Sequence, residues 1–138
     1  MKKKILMLAL VLVTAVTLQA QNADYRVVFD LTSKDTSSHK TVIRQASGIA
    51  KANPDAKLEV VVYSGALDMV LKDKSIVAKD LENLIKNKQA SVKVCAITMQ
   101  RHNIDISQLV PGVEVVPDGI YQIITRQREG WGYIKVTN

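Results

Sequence analysis

Val92-Lys93-Val94-Cys95-Ala96-Ile97-Thr98-Met99 is the stretch whose reading decides the fold. Valines alternate with one lysine, then an apolar run follows. That pattern predicts a short buried strand over Val92–Ile97 leading into a turn. It also carries the chain's one cysteine. In open α/β sheets, ligands and chemistry gather outside the carboxyl ends of the strands. Cys95 is therefore either a working thiol or a small core residue.

Working outward, the same strand signal recurs. Tyr25–Asp30 and Leu58–Tyr63 are β-branched and aromatic, Val113–Val116 is a short fourth run, and Trp131–Val136 is a fifth. Between them lie helical spacings. Val42, Ile43, Ala46, Ile49 and Ala50 predict a helix over 37–52, with Asp35, Thr36 and Ser37 as candidate caps. Asn53-Pro54 stops it, because the residue before proline avoids the α region. Ala66–Leu71 fits a short helix, and Val77, Leu81, Leu84 and Ile85 mark a full one over 76–87. Single helical turns are expected over 99–103 and 104–109. Asp118 is a good N-cap for a last helix in which Ile120, Ile123, Ile124 and Gln127 share a face, and Gly130 suits the left-handed residue that ends it. Strands alternating with helices imply a three-layer α/β/α fold, with a mostly parallel sheet of about five strands and helices on both faces. The strand from Trp131 to Val136 is expected at an edge, where another subunit would cover it.

The first twenty residues differ from the rest. Lys2, Lys3 and Lys4 precede the apolar run Ile5–Val13, and Leu18-Gln19-Ala20 offers a small-residue cleavage site. This is the pattern of a secretory leader over 1–20, followed by a domain over 21–138. The expected location is exported, either periplasmic or secreted, with no membrane association after cleavage. The apolar run is shorter than the about 20 residues that span a bilayer. Without the three lysines, 16 basic residues face 13 acidic ones, and the net charge falls from +6 to +3. These charges are scattered, with no basic stripe interleaved with aromatics, so nucleic acid is not an expected partner.

One cysteine excludes an internal disulfide. It leaves an intermolecular bond, a reactive thiol or simple burial, and unpaired cysteine is among the most buried residue types. Reactivity needs the thiolate and a positive or hydrogen-bonding setting, such as a helix N-terminus. Arg101 and His102 follow closely enough to contribute. The seven-residue gap between Cys95 and His102 is not a metal-ligand spacing, and no metal is expected. His39 and His102 are read as surface residues, with His39 in a solvated first helical turn. The loop Thr32–Ser38 has hydroxyls but no glycine for close phosphate approach, so capping explains it better than a flavin or dinucleotide cradle. No cofactor is expected. Ser64-Gly65 lacks the flanking glycines of a nucleophile elbow. Tyr121, Trp131 and Tyr133 are read as packing or interface residues.

Several motifs in order resemble the DsrE/DsrF-like family, which includes YchN-like proteins. They are Val60-Val61-Val62-Tyr63-Ser64-Gly65-Ala66, Val94–Met99, Leu109–Val113, Val115–Ile120 and Gln127–Ile134. The resemblance covers nearly all of 21–138. It implies a compact α/β/α fold assembled as a trimer or hexamer. Members with a cysteine matching Cys95 include sulfurtransferases and sulfur carriers that hold a persulfide there. It thus implies a thiol-bearing donor or acceptor protein as partner. Relatives often carry a His-Gly pair where this chain has Ser64-Gly65. A non-catalytic oligomeric binding module with an inert, buried Cys95 is the alternative expectation.

Overall fold

The computed structural model of the chain describes residue 1 and residues 24–137. Apart from residue 1, the expected leader lies outside the described residues. Among those described, no helix is long and apolar enough to cross a membrane.

Five strands form one sheet: β1 (Arg26–Leu31), β2 (Lys57–Val62), β3 (Ser91–Cys95), β4 (Glu114–Val116) and β5 (Gly132–Lys135). Their order is β4-β3-β2-β1-β5, and every pairing is parallel. The helices are α1 (Thr36–Ala52), α2 (Ala78–Lys86), α3 (Ala96–Arg101) and α4 (Gly119–Arg128), with 3-10 turns at Ser64–Val70 and Ile106–Gln108.

Handedness explains the layering. From β1 to β4 the chain steps across the sheet in one direction, so right-handed crossovers put all those connections on one face. The return from β4 to β5 runs the other way and puts α4 on the opposite face. Alternation along the strands matches this. Val27, Phe29, Leu31, Leu58, Val60, Val62, Val92 and Val94 point into the main core with Val42 and Ala46 of α1 and Leu81 and Leu84 of α2. Each such fully buried side chain contributes about 1.5–3 kcal/mol. The other face has a small apolar cluster of Val28, Val61 and Ile123, with Tyr63 and Trp131 against it. The rest of that face is polar.

Several boundaries move. Asp35 caps α1, its carboxylate accepting the Ser37 N–H at 2.9 Å. The third strand stops at Cys95 and α3 begins at Ala96, so Ile97 is helical rather than extended. On α4 only Ile123 of the expected apolar stripe is buried, while Ile120 and Ile124 are 55% and 40% exposed. The sheet-facing side of α4 also carries Gln122 and Arg126, which reach Glu59 of β2. Trp131 lies just before β5, which does form an edge.

Candidate functional site

Cys95 is the last residue of β3 and the N-cap residue of α3. Strand alternation puts it on the polar face with Ser91 and Lys93, opposite Val92 and Val94. It is only 4% exposed. Two elements close over it. Gly119, first residue of α4, comes so near that a Cβ there would lie 3.3 Å from the Cβ atoms of both Cys95 and Tyr63. Glycine is what permits that approach.

The position follows from topology. β3 hands the chain to α3, whose Met99 joins the main core. β4 hands it to α4 on the other face. The two connections diverge, which leaves a crevice outside the carboxyl ends of β3 and β4, where open α/β sheets bind ligands. A cleft of about 500 Å³ occupies it. Tyr63, Ser64 and Gly65 come from the end of β2; Ile97, Thr98, Arg101 and His102 from α3 and its C-cap; Asp118 and Ile120 from the start of α4; Cys95 lies among them.

Three hydrogen bonds fix the walls. Thr98, 7% exposed, accepts the Ser64 N–H at 3.0 Å, and Ser64 sits in the left-handed region at φ 56. A left-handed non-glycine residue costs about 1–2 kcal/mol, so the bond to Thr98 holds the β2 turn against its own preference. Asp118 caps α4, accepting the N–H groups of Ile120 at 2.8 Å and Tyr121 at 3.3 Å. The cleft therefore pairs two basic side chains, Arg101 and His102, with one carboxylate already engaged in capping.

Behind Tyr63 lies a buried carboxylate. Asp30, 5% exposed, accepts from Tyr133 Oη at 2.6 Å and from Lys135 Nζ at 3.1 Å. Burial, with the Asp30 carboxylate beside it, pushes the Tyr63 hydroxyl up to about 12. The hydrogen bond to Asp30 does the same to Tyr133, also to about 12. Raised values favour the neutral phenols in the folded state. Their contribution to stability is full below the ordinary value of 10 and is lost as pH rises through about 12. In an alkaline absorbance titration these two tyrosines are expected to ionise late, near pH 12, and Tyr63→Phe and Tyr133→Phe are each expected to delete one late step. Late steps that survive both substitutions would refute the assignment.

The structure brings Cys95, Arg101 and His102 together in one cleft. It separates His39 from them and corrects its reading as solvated. His39 is 2% exposed, with Nε2 donating to the Ser33 carbonyl at 3.0 Å, so it ties α1 to the preceding loop. Among the described residues, no group of three or more His, Cys, Asp or Glu side chains could hold a metal. The sequence reading passed over Asp30 and Glu59. The signal for Glu59 is a lone carboxylate in the central run Leu58-Glu59-Val60-Val61-Val62, where a charge requires a buried partner.

The sequence pattern of the DsrE/DsrF-like family matches residues 26–136. The chain belongs to that family. A protein of unknown function from Methanobacterium thermoautotrophicum is 31% identical, with a TM-score of 0.76 over 81% of this chain and 99% of that one. The YchN protein from E. coli is 14% identical, with a TM-score of 0.68 over 81% and 98%. A conserved protein of unknown function from Bacteroides thetaiotaomicron is 11% identical, with a TM-score of 0.67 over 81% and 95%. The last two likenesses bear on the fold alone. No curated protein matches the chain.

Proposed function

We propose that this DsrE/DsrF-like protein is a sulfur carrier or sulfurtransferase that holds a persulfide on Cys95. The observation that carries the reading is the place of Cys95, on the floor of a cleft of about 500 Å³ at the carboxyl ends of the strands. The Cys95 thiolate attacks the outer sulfur of a donor persulfide, R–S–SH. A bond forms between Cys95 Sγ and that sulfur, the donor's S–S bond breaks, and R–S⁻ leaves with the electron pair. The proton stays on the transferred sulfur, giving Cys95–S–SH. An acceptor thiolate repeats the attack on the outer sulfur and releases Cys95 as thiolate, with no net redox change. Arg101 supplies positive charge, and His102 a ring nitrogen, at the cleft where anions form on either side of the step.

The proposal extends to a homo-oligomer, a trimer or hexamer, and to an exported location. Exposed Ile120, Tyr121 and Ile124 on α4 support the first, since they leave an apolar face on the helix that borders the cleft. The leader-like residues 1–20 support the second.

The low exposure of Cys95 favours one other reading, a binding module with an inert thiol. Native-state labelling with a small uncharged alkylating reagent separates the two. A carrier labels in the folded protein at a rate that saturates with pH as the thiolate forms. Labelling that appears only after denaturation would overturn the carrier reading.

A further inference from the structure

A second cavity, of about 420 Å³, opens at the amino end of the sheet, away from Cys95. Lys57, Lys88, Lys93 and Arg126 line it against two carboxylates, Glu59 and Glu114. Its polar wall is already fixed. Glu59, 1% exposed, is gripped by Arg126, and Lys93 Nζ lies 2.6 Å from Glu114. Arg126 in turn lies over the Trp131 ring, 4.7 Å from its centroid. With both carboxylates matched, Lys57 and Lys88 are the surplus charge.

Neither surplus cation is engaged within the cavity. Lys57 reaches outward to Asp24 at 3.3 Å, a pair whose side chains are 59% and 60% exposed. Such exposed pairs hold their partners weakly. Among the described residues Lys88 makes no ion pair. It stands in the left-handed region at φ 55, just after the C-cap of α2, where glycine or asparagine is usual. A further donor lies in the neighbouring strand. Arg26 is in register with Lys57 on the same face, and its Nε is buried among the described residues without an acceptor. That side chain borders a separate hollow with Asp24, Tyr25, Val27 and Gly132, so Lys57 and Lys88 remain the cavity's own unmatched cations.

We propose that this basal cavity binds a small ligand bearing an oxyanion, a phosphate or carboxylate group, held by Lys57 and Lys88. Ile85 and Trp131 add apolar lining that such a ligand's body would meet.

The chain has one tryptophan, and it lines this cavity. Titrating the full chain with inorganic phosphate, and separately with citrate, at constant ionic strength therefore reads the site through Trp131 emission. The expected result is a saturable change with at least one anion at concentrations up to about 10 mM, the weak end of specific binding. Saturation by phosphate alone identifies a phosphate-bearing ligand, and saturation by citrate alone a carboxylate. Lys57→Ala with Lys88→Asn weakens binding about tenfold or more; asparagine keeps the left-handed turn, and the melting curve confirms folding. Cys95→Ser leaves the affinity unchanged, so this outcome is independent of the persulfide reading. No saturable change with either anion, or equal affinity in the lysine variant, overturns the proposal.

Discussion

Replacing Arg126 with alanine lowers the unfolding free energy by about 3–5 kcal/mol, the cost of leaving a buried charge without its partner. The Glu59 carboxylate accepts Arg126 Nε at 3.1 Å and Nη2 at 2.8 Å, Gln122 Nε2 at 2.7 Å and Ser91 Oγ at 3.3 Å. Burial works to raise its pKa, but the Arg126 and Gln122 hydrogen bonds prevail and hold it below the ordinary 4.5. The same pairing raises Arg126. A depressed carboxyl contributes stability that is present above the unfolded pKa and lost as pH falls through the folded one. In Arg126→Ala burial is opposed only by the Gln122 hydrogen bond and the Lys93 charge, so the depression of Glu59 shrinks. The variant then loses less stability than wild type as pH falls from neutral to about 5. Urea unfolding at both pH values checks this. A loss under about 1 kcal/mol, or an unchanged pH slope, would show that water already reaches Glu59. Glu59→Leu with Arg126→Met is expected to be neutral or stabilising, as replacements of buried ion pairs by apolar residues of similar volume often are.

The second large effect is all-or-none. Cys95→Ser abolishes sulfur transfer to a second thiol while the protein stays folded, at a cost of up to about 1–3 kcal/mol for a hydroxyl in so buried a place. The hydroxyl cannot supply the thiolate that the transfer requires. Arg101→Ala removes a positive charge and His102→Ala a ring hydrogen-bonding group, and each slows transfer by about tenfold, on the scale of one weakened polar contact. The measurement is release of the carried sulfur to an excess of a small thiol. Transfer by Cys95→Ser at the wild-type rate would assign the chemistry elsewhere.

Much of this architecture is legible in the residues because each local signal is self-contained. Runs such as Val60-Val61-Val62 mark strands buried on both sides, and Asp35 and Asp118 announce their helices through caps three residues or less away. Cys95 at a strand end follows from the same reading. The start of α3 does not, since Ala96-Ile97-Thr98 continues an apolar, β-branched run that mimics a strand. What turns it into a helix is tertiary: Met99 enters the main core and Thr98 captures the Ser64 N–H. His39 looks like a solvated helix-start residue until its bond to Ser33 is seen. The polar face is the least legible part. Glu59 and Arg126 are 67 residues apart and Asp30 and Tyr133 are 103 apart, so no periodicity links them. Ile120 and Ile124 mislead in the opposite way, since their spacing suits a core stripe that only Ile123 enters.

The carrier reading meets its most direct test in the intact mass of the folded protein after exposure to a sulfane-sulfur donor. Wild type is expected to gain the mass of one sulfur atom, reversibly on adding a reducing thiol, with the gain mapped to the peptide holding Cys95 and absent from Cys95→Ser. An unchanged wild-type mass, or an equal gain by Cys95→Ser, would contradict it.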